Sequence, residues 1–104
     1  MTSRQTSAMS EGVAMETGSA IVTNEVGLHA RPSVKLTQLA KSFAGPVELA
    51  LSAEGPWIDA KSPVKVMRFK ALKGATLHVR AGGPDAAASL KAMLDLIRRR
   101  FDED

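Results

Sequence analysis

Residues 86–101, AAASLKAMLDLIRRRF, carry one unbroken apolar stripe in which Ala86, Leu90, Met93, Leu94, Ile97 and Phe101 recur at helical spacing. A helix with a single apolar face folds only against another apolar surface. Three alternating runs upstream, and a short return strand, offer one. From Ala20, AIVTNEV alternates apolar and polar positions, with Val22 and Val26 among the apolar ones, and predicts a strand ending at Gly27. Val47, Leu49 and Leu51 alternate with Glu48 and Ala50, and after the turn AEGP the run WIDAK leads back as a short strand. Leu77, Val79 and Ala81 then alternate with Thr76, His78 and Arg80.

Between these runs the period lengthens. Residues 33–43 place Leu36, Ala40 and Phe43 on one helical stripe, with Pro32 near the first turn and Gly45-Pro46 as the stop. Ser62-Pro63 reads as an N-cap and first helical residue, opening a short helix over VKVMRF. The order β-α-β-β-α-β-α, with a hairpin in the middle, predicts an α+β open-faced β-sandwich. Its sheet is four-stranded and mostly antiparallel, with three helices on one face.

With 104 residues there is room for one small domain. Residues 1–19, rich in Ser, Thr, Gly and Ala, read as a disordered leader, and 20–104 as the folded domain. The leader lacks the apolar core of a secretory signal, and no run has the roughly 20 apolar residues that span a bilayer, so a cytoplasmic protein without membrane insertion is expected. Cysteine is absent and only His29 and His78 are present, which excludes thiolate and all-histidine metal sites. Without Arg4, Glu11 and Glu16 the remainder holds 13 basic and 9 acidic residues, about +4. That field suits acidic protein partners or nucleic acid alike, but one Trp and three Phe form no aromatic platform for nucleic acid. His78 reads as a solvated strand residue and Trp57 as packing beside its turn.

The segment EVGLHARPS, residues 25–33, joins the first strand to the first helix. A helix start presents N–H groups without internal partners and the positive end of the helix dipole. His29 there favours a neutral, nucleophilic ring, the adjacent amides can receive an anion, and the guanidinium of Arg31 matches phosphate oxygens. This combination suits phosphoryl transfer through histidine. Composition and spacing alone favour slightly the plainer alternative, a histidine that caps the helix beside a solvated arginine.

The segment GLHARP resembles the active-site segment of HPr, the histidine phosphocarrier of the bacterial phosphotransferase system. AKS at 60–62, VM at 66–67, LKGATLHVRAGG and the terminal helix follow in the family's order, so the resemblance spans about residues 20–101. It implies the same open-faced sandwich, no cofactor, and a phosphoryl carrier rather than a turnover enzyme. By the resemblance, His29 accepts a phosphoryl group on Nδ1 from phospho-enzyme I and passes it to an enzyme IIA-type protein, while Arg31 steadies the group. Ser62 matches a serine phosphorylated in many relatives by HPr kinase/phosphorylase, although Pro63 and Lys65 depart from the residues usual beside it. Pro63, Val64 and Met67, flanked by Gln38 and Lys41, are expected to form the docking patch, on a protein expected to be monomeric. A docking regulator on the same fold, never phosphorylated on histidine, is the alternative; retention of His29 and Arg31 argues against it. Sugar uptake and a regulatory relay are equally compatible with the sequence.

Overall fold

The computed structural model describes residues 15–25 and 27–102. Its elements run β1 (Glu16–Ile21), α1 (Ala30–Lys41), β2 (Val47–Ala50), β3 (Ile58–Asp59), α2 (Pro63–Phe69), β4 (Thr76–Ala81) and α3 (Ala86–Arg98). The sheet order is β1-β4-β2-β3, and every neighbouring pair is antiparallel. The expected open-faced sandwich is therefore present, including the β2–β3 hairpin.

The core lies between this sheet and the helices. Leu49, Leu77 and Val79 from the strands are fully buried with Leu36 of α1, Val66 of α2, and Met93 and Ile97 of α3. Period-2 alternation in β4 works as read, since Leu77, Val79 and Ala81 are all buried. Its outward residues are less bare than expected. His78 is half-buried, and the Arg80 guanidinium lies 4.3 Å from the centre of the Trp57 ring while its Nε donates to Glu48 Oε1 at 2.6 Å.

β1 begins four residues earlier than the alternation suggested, so residues 16–19, expected in the leader, pair with β4 in the register Glu16↔Ala81 to Ile21↔Thr76. The inward position Gly18 conceals this strand. A β-carbon there would stand 2.8 Å from Leu94 Cδ1 and 3.5 Å from Leu90 Cδ1, so the α3 leucines occupy space that an apolar strand residue would otherwise fill. Residues 1–14 of the expected leader, and Val26, lie outside the described residues. Beyond Ile21 the ladder ends. Val22 stays buried and exchanges hydrogen bonds with Ala75 and Gly74 in the loop before β4.

Three further expectations shift. α1 starts at Ala30 rather than 33 and ends at Lys41, leaving Phe43 half-buried just past the helix. Leu51, expected inward, is exposed because the chain leaves β2 at Ala50 and turns through Ser52–Gly55, where Ser52 Oγ donates to Gly55 O at 2.8 Å. The return strand pairs only over Ile58–Asp59, through Glu48↔Asp59 and Leu49↔Ile58.

Phe101 is fully buried as its stripe requires, but α3 does not carry it there. The helix stops at Arg98, and Arg100, Phe101 and Asp102 follow with φ of 60°, 57° and 58°. This left-handed turn swings the phenyl ring into the core. Left-handed backbone is unfavourable for residues with a β-carbon, by about 1–2 kcal/mol each. Burial of the ring offsets it, as do Lys35 Nζ donating to Phe101 O at 2.9 Å and the Arg99–Asp102 ion pair at 3.0 Å.

Candidate functional site

The segment from Asn24 to Pro32 is held between β1 and α1 by short local bonds. Asn24, buried at 2 % exposure, donates from Nδ2 to Gly27 O at 2.7 Å, and Gly27 N–H donates to Asn24 O at 3.2 Å. Gly27 has φ +67°, and Leu28 N–H donates to Ala71 O at 2.8 Å, fastening this segment to the loop after α2. Leu28 is buried, so the chain leaves the core at His29 and exposes the next side chains.

His29 is the N-cap residue of α1, with extended backbone (φ −90°, ψ −159°) and an exposed side chain that makes no capping hydrogen bond. His29 thus caps the helix through its backbone carbonyl, which accepts from Ser33 N–H at 2.9 Å, and its ring takes no part. Pro32 has no N–H and Ser33 has spent its own, so the first turn can offer an anion at most the amides of His29, Ala30 and Arg31. Ser33, fully buried, donates from Oγ to Leu28 O at 3.3 Å and steadies the entry to the helix.

Two shallow hollows open at this helix start, and His29 lines the first. One of about 320 Å³ is lined by Leu28, His29, Ala30, Met67, Lys70, Ala71 and Leu72. The other, about 380 Å³, is lined by Ala30, Arg31, Val34, Lys35 and Gln38. The structure thus brings Met67 beside His29 and Gln38 beside Arg31. Lys41, Pro63 and Val64 are exposed on the same two packed helices but line neither hollow.

Exposed apolar side chains concentrate here: Val34 is 45 % exposed, Val64 59 %, Met67 47 % and Leu72 68 %. Val34, Leu72 and Lys70 escaped the sequence analysis. Val34 belongs to a helix read for its buried stripe, whereas Leu72 and Lys70 sit in a loop with no period. Residues 27–47 and 60–84, which supply both helices, contain no acidic residue, so Arg31, Lys35, Lys41, Lys65, Arg68 and Lys70 give these segments an excess of positive charge.

Ser62 is the N-cap of α2, half-buried, with Oγ accepting from Lys65 N–H at 3.3 Å and Pro63 at the first helical position, as the sequence suggests. Among the described residues, no three His, Cys, Asp or Glu side chains gather as a metal site, and no helix is long and apolar enough to cross a membrane.

Comparison with known proteins identifies the family. Residues 17–99 match the family model described as the PTS HPr component phosphorylation site. Phosphocarrier protein HPr of Cupriavidus necator is 44 % identical over 82 residues, covering 79 % of this chain and 90 % of the relative. Phosphocarrier protein NPr of Escherichia coli K12 is 36 % identical over 83 residues, covering 80 % and 91 %. Among solved structures, HPr from Thermoanaerobacter tengcongensis superposes with a TM-score of 0.77 at 28 % identity, covering 86 % of this chain and 98 % of that one. With the sheet order, the exposed histidine at a helix start and a match across most of its length, the chain belongs to the HPr family of phosphotransferase-system phosphocarriers.

Proposed function

We propose that His29 is the phosphoryl-carrying residue, that phospho-enzyme I is its donor, and that an enzyme IIA-type protein is its acceptor. The observation that carries this reading is an uncommitted imidazole at the N-cap of α1: exposed, free of any capping bond, and adjacent to helix amides and Arg31. In the forward step the neutral His29 ring attacks the phosphorus of a phosphohistidine donor in line. The donor's N–P bond breaks as the new N–P bond forms, and the donor ring leaves with the electron pair. First-turn amides and the Arg31 guanidinium stabilise charge on the moving group, so the carrier supplies position and electrostatics and returns unchanged after passing the group on.

The apolar patch of Val64 and Met67, with Pro63, Gln38 and Lys41 around it, serves in this reading as the surface each partner covers in turn. Ser62 is a regulatory phosphorylation site on the rim of that surface, where a phosphate would place about two negative charges against an acidic-preferring, positively charged face. One monomer that meets successive partners suits this relay.

The test is incubation with enzyme I, Mg²⁺ and phosphoenolpyruvate, followed by intact mass. One acid-labile phosphate on the native chain, absent from His29→Ala with the fold retained, is the expected result. Equal labelling of the variant, or a native chain that stays unmodified beside a working enzyme I, overturns the assignment.

A further inference from the structure

We propose that Lys70 is a second cation for the phosphoryl group on His29, in addition to Arg31; this rests on the reading of His29 as the carrier residue. Lys70 is the C-cap of α2 and adopts left-handed backbone, φ 54° and ψ 44°. Glycine is the residue that fits such a cap without strain, and the chain uses glycine at four other positive-φ positions, Gly27, Gly55, Gly74 and Gly83. Outside the Arg100–Asp102 turn, where burial of Phe101 offsets the same strain, Lys70 is the one non-glycine among the described residues with positive φ, and its side chain has to account for it.

The surroundings of that side chain point to an anion. Lys70 and His29 are the two polar side chains in the lining of one hollow, the remainder being Leu28, Ala30, Met67, Ala71 and Leu72. No acidic residue lies in 27–47 or 60–84, and Glu25, in the loop before α1, is paired with Lys73 Nζ at 2.6 Å. Arg31 lines the neighbouring hollow instead, which shares Ala30 with this one, so the two cations belong to different hollows at the same helix start. An ammonium on a flexible stem acts as a point charge that can follow a phosphoryl group as it arrives and leaves, which complements the fixed fork of a guanidinium.

The arrangement makes two measurements move in opposite directions. Lys70→Gly relieves the left-handed cap and should raise Tm by a few degrees, about the response of a small domain to a modest gain in stability. The same substitution removes the cation and should weaken the hold on phosphate.

The experiment uses the full chain, phosphorylated with phosphoramidate so that no partner is needed, with the label assigned to His29 by its loss in His29→Ala. Phosphorus-31 NMR then follows the second ionisation of the phosphoryl group against pH. In the native chain it should fall about half a unit below that in Lys70→Gln and Lys70→Gly, the effect of one exposed unit charge within ~6 Å. Lys70→Arg should keep most of the shift. The transfer rate from saturating phospho-enzyme I should drop severalfold in Lys70→Gln and Lys70→Gly, despite the higher Tm of the latter.

Identical titrations in native chain, Lys70→Gln and Lys70→Gly overturn the role of Lys70 while leaving His29 as carrier intact. So does a defect that disappears at saturating donor, which would place Lys70 in docking alone. A native chain that takes phosphate from phosphoramidate but never from enzyme I instead defeats the carrier reading, and the two failures are thereby separate.

Discussion

At Gly27 the backbone turns with φ +67°, and a β-carbon built there would lie 2.5 Å from Ala71 O and 2.9 Å from Leu72 Cα. The obstacles are main-chain atoms of the loop that accepts the Leu28 amide, so they cannot swing aside as a side chain would. Gly27→Ala should therefore lower stability by about 1–2 kcal/mol from the backbone alone, with the collision added. It should also slow phosphoryl uptake more than an equally destabilising core substitution remote from His29, such as Leu77→Ala. Denaturant melts of both variants, set against their labelling rates, check this. Equal labelling at matched stability would show that the Gly27 turn does not govern the position of His29.

Among the elements, α3 and the turn after it carry two carboxyls that folding shifts. The hydrogen bond from Arg99 holds the Asp102 carboxyl below the ordinary aspartate value of 3.8, and that from Lys91 does the same for Asp95. A carboxyl lowered on folding adds stability that is fully present above its ordinary value and is lost as pH falls through the lowered one. Both carboxylates are solvent-exposed, so the effect is local and sensitive to salt. The expectation is a loosening of the Arg100–Asp102 turn below about pH 3.8. NMR shifts of the Phe101 ring should report it before α1 changes. Asp102→Asn should remove that acid step, and an unchanged step in the variant would show that other carboxyls drive it.

For the whole molecule, the sheet begins at Glu16, and β1 is one of its two edge strands, contacting both β4 and α3. A chain starting at Met15 should melt close to the full chain. One starting at Ala20, the boundary suggested by hydrophobic alternation, loses four of the six β1 residues and uncovers Leu90 and Leu94 above Gly18. It should melt well below the other two in calorimetry or be largely unfolded. Equal Tm for all three chains would show that Glu16–Ser19 adds nothing to the fold.

Much of this was open to a reader of the sequence. Alternation in β4, the stripe of α3 and the Ser62-Pro63 helix start are local signals written in side chains that themselves carry the apolar or capping property. The histidine, arginine and proline of GLHARP are likewise a local signal, because a helix start creates its own field whatever packs around it. The extent of β1 was hidden, since its inward residue is a glycine whose space is filled by leucines about seventy positions away. Burial of Phe101 was legible from its spacing, but the left-handed turn that delivers it depends on Lys35 in another helix. The meeting of Lys70 and Leu72 with His29 has the same character, because a loop without period acquires its neighbours only when α2 packs against α1. Local chemistry and periodicity determined most of the elements and the candidate segment; contacts between residues far apart in sequence decided the sheet edge, the C-terminal turn and the company His29 keeps, because only packing brings those atoms within reach of one another.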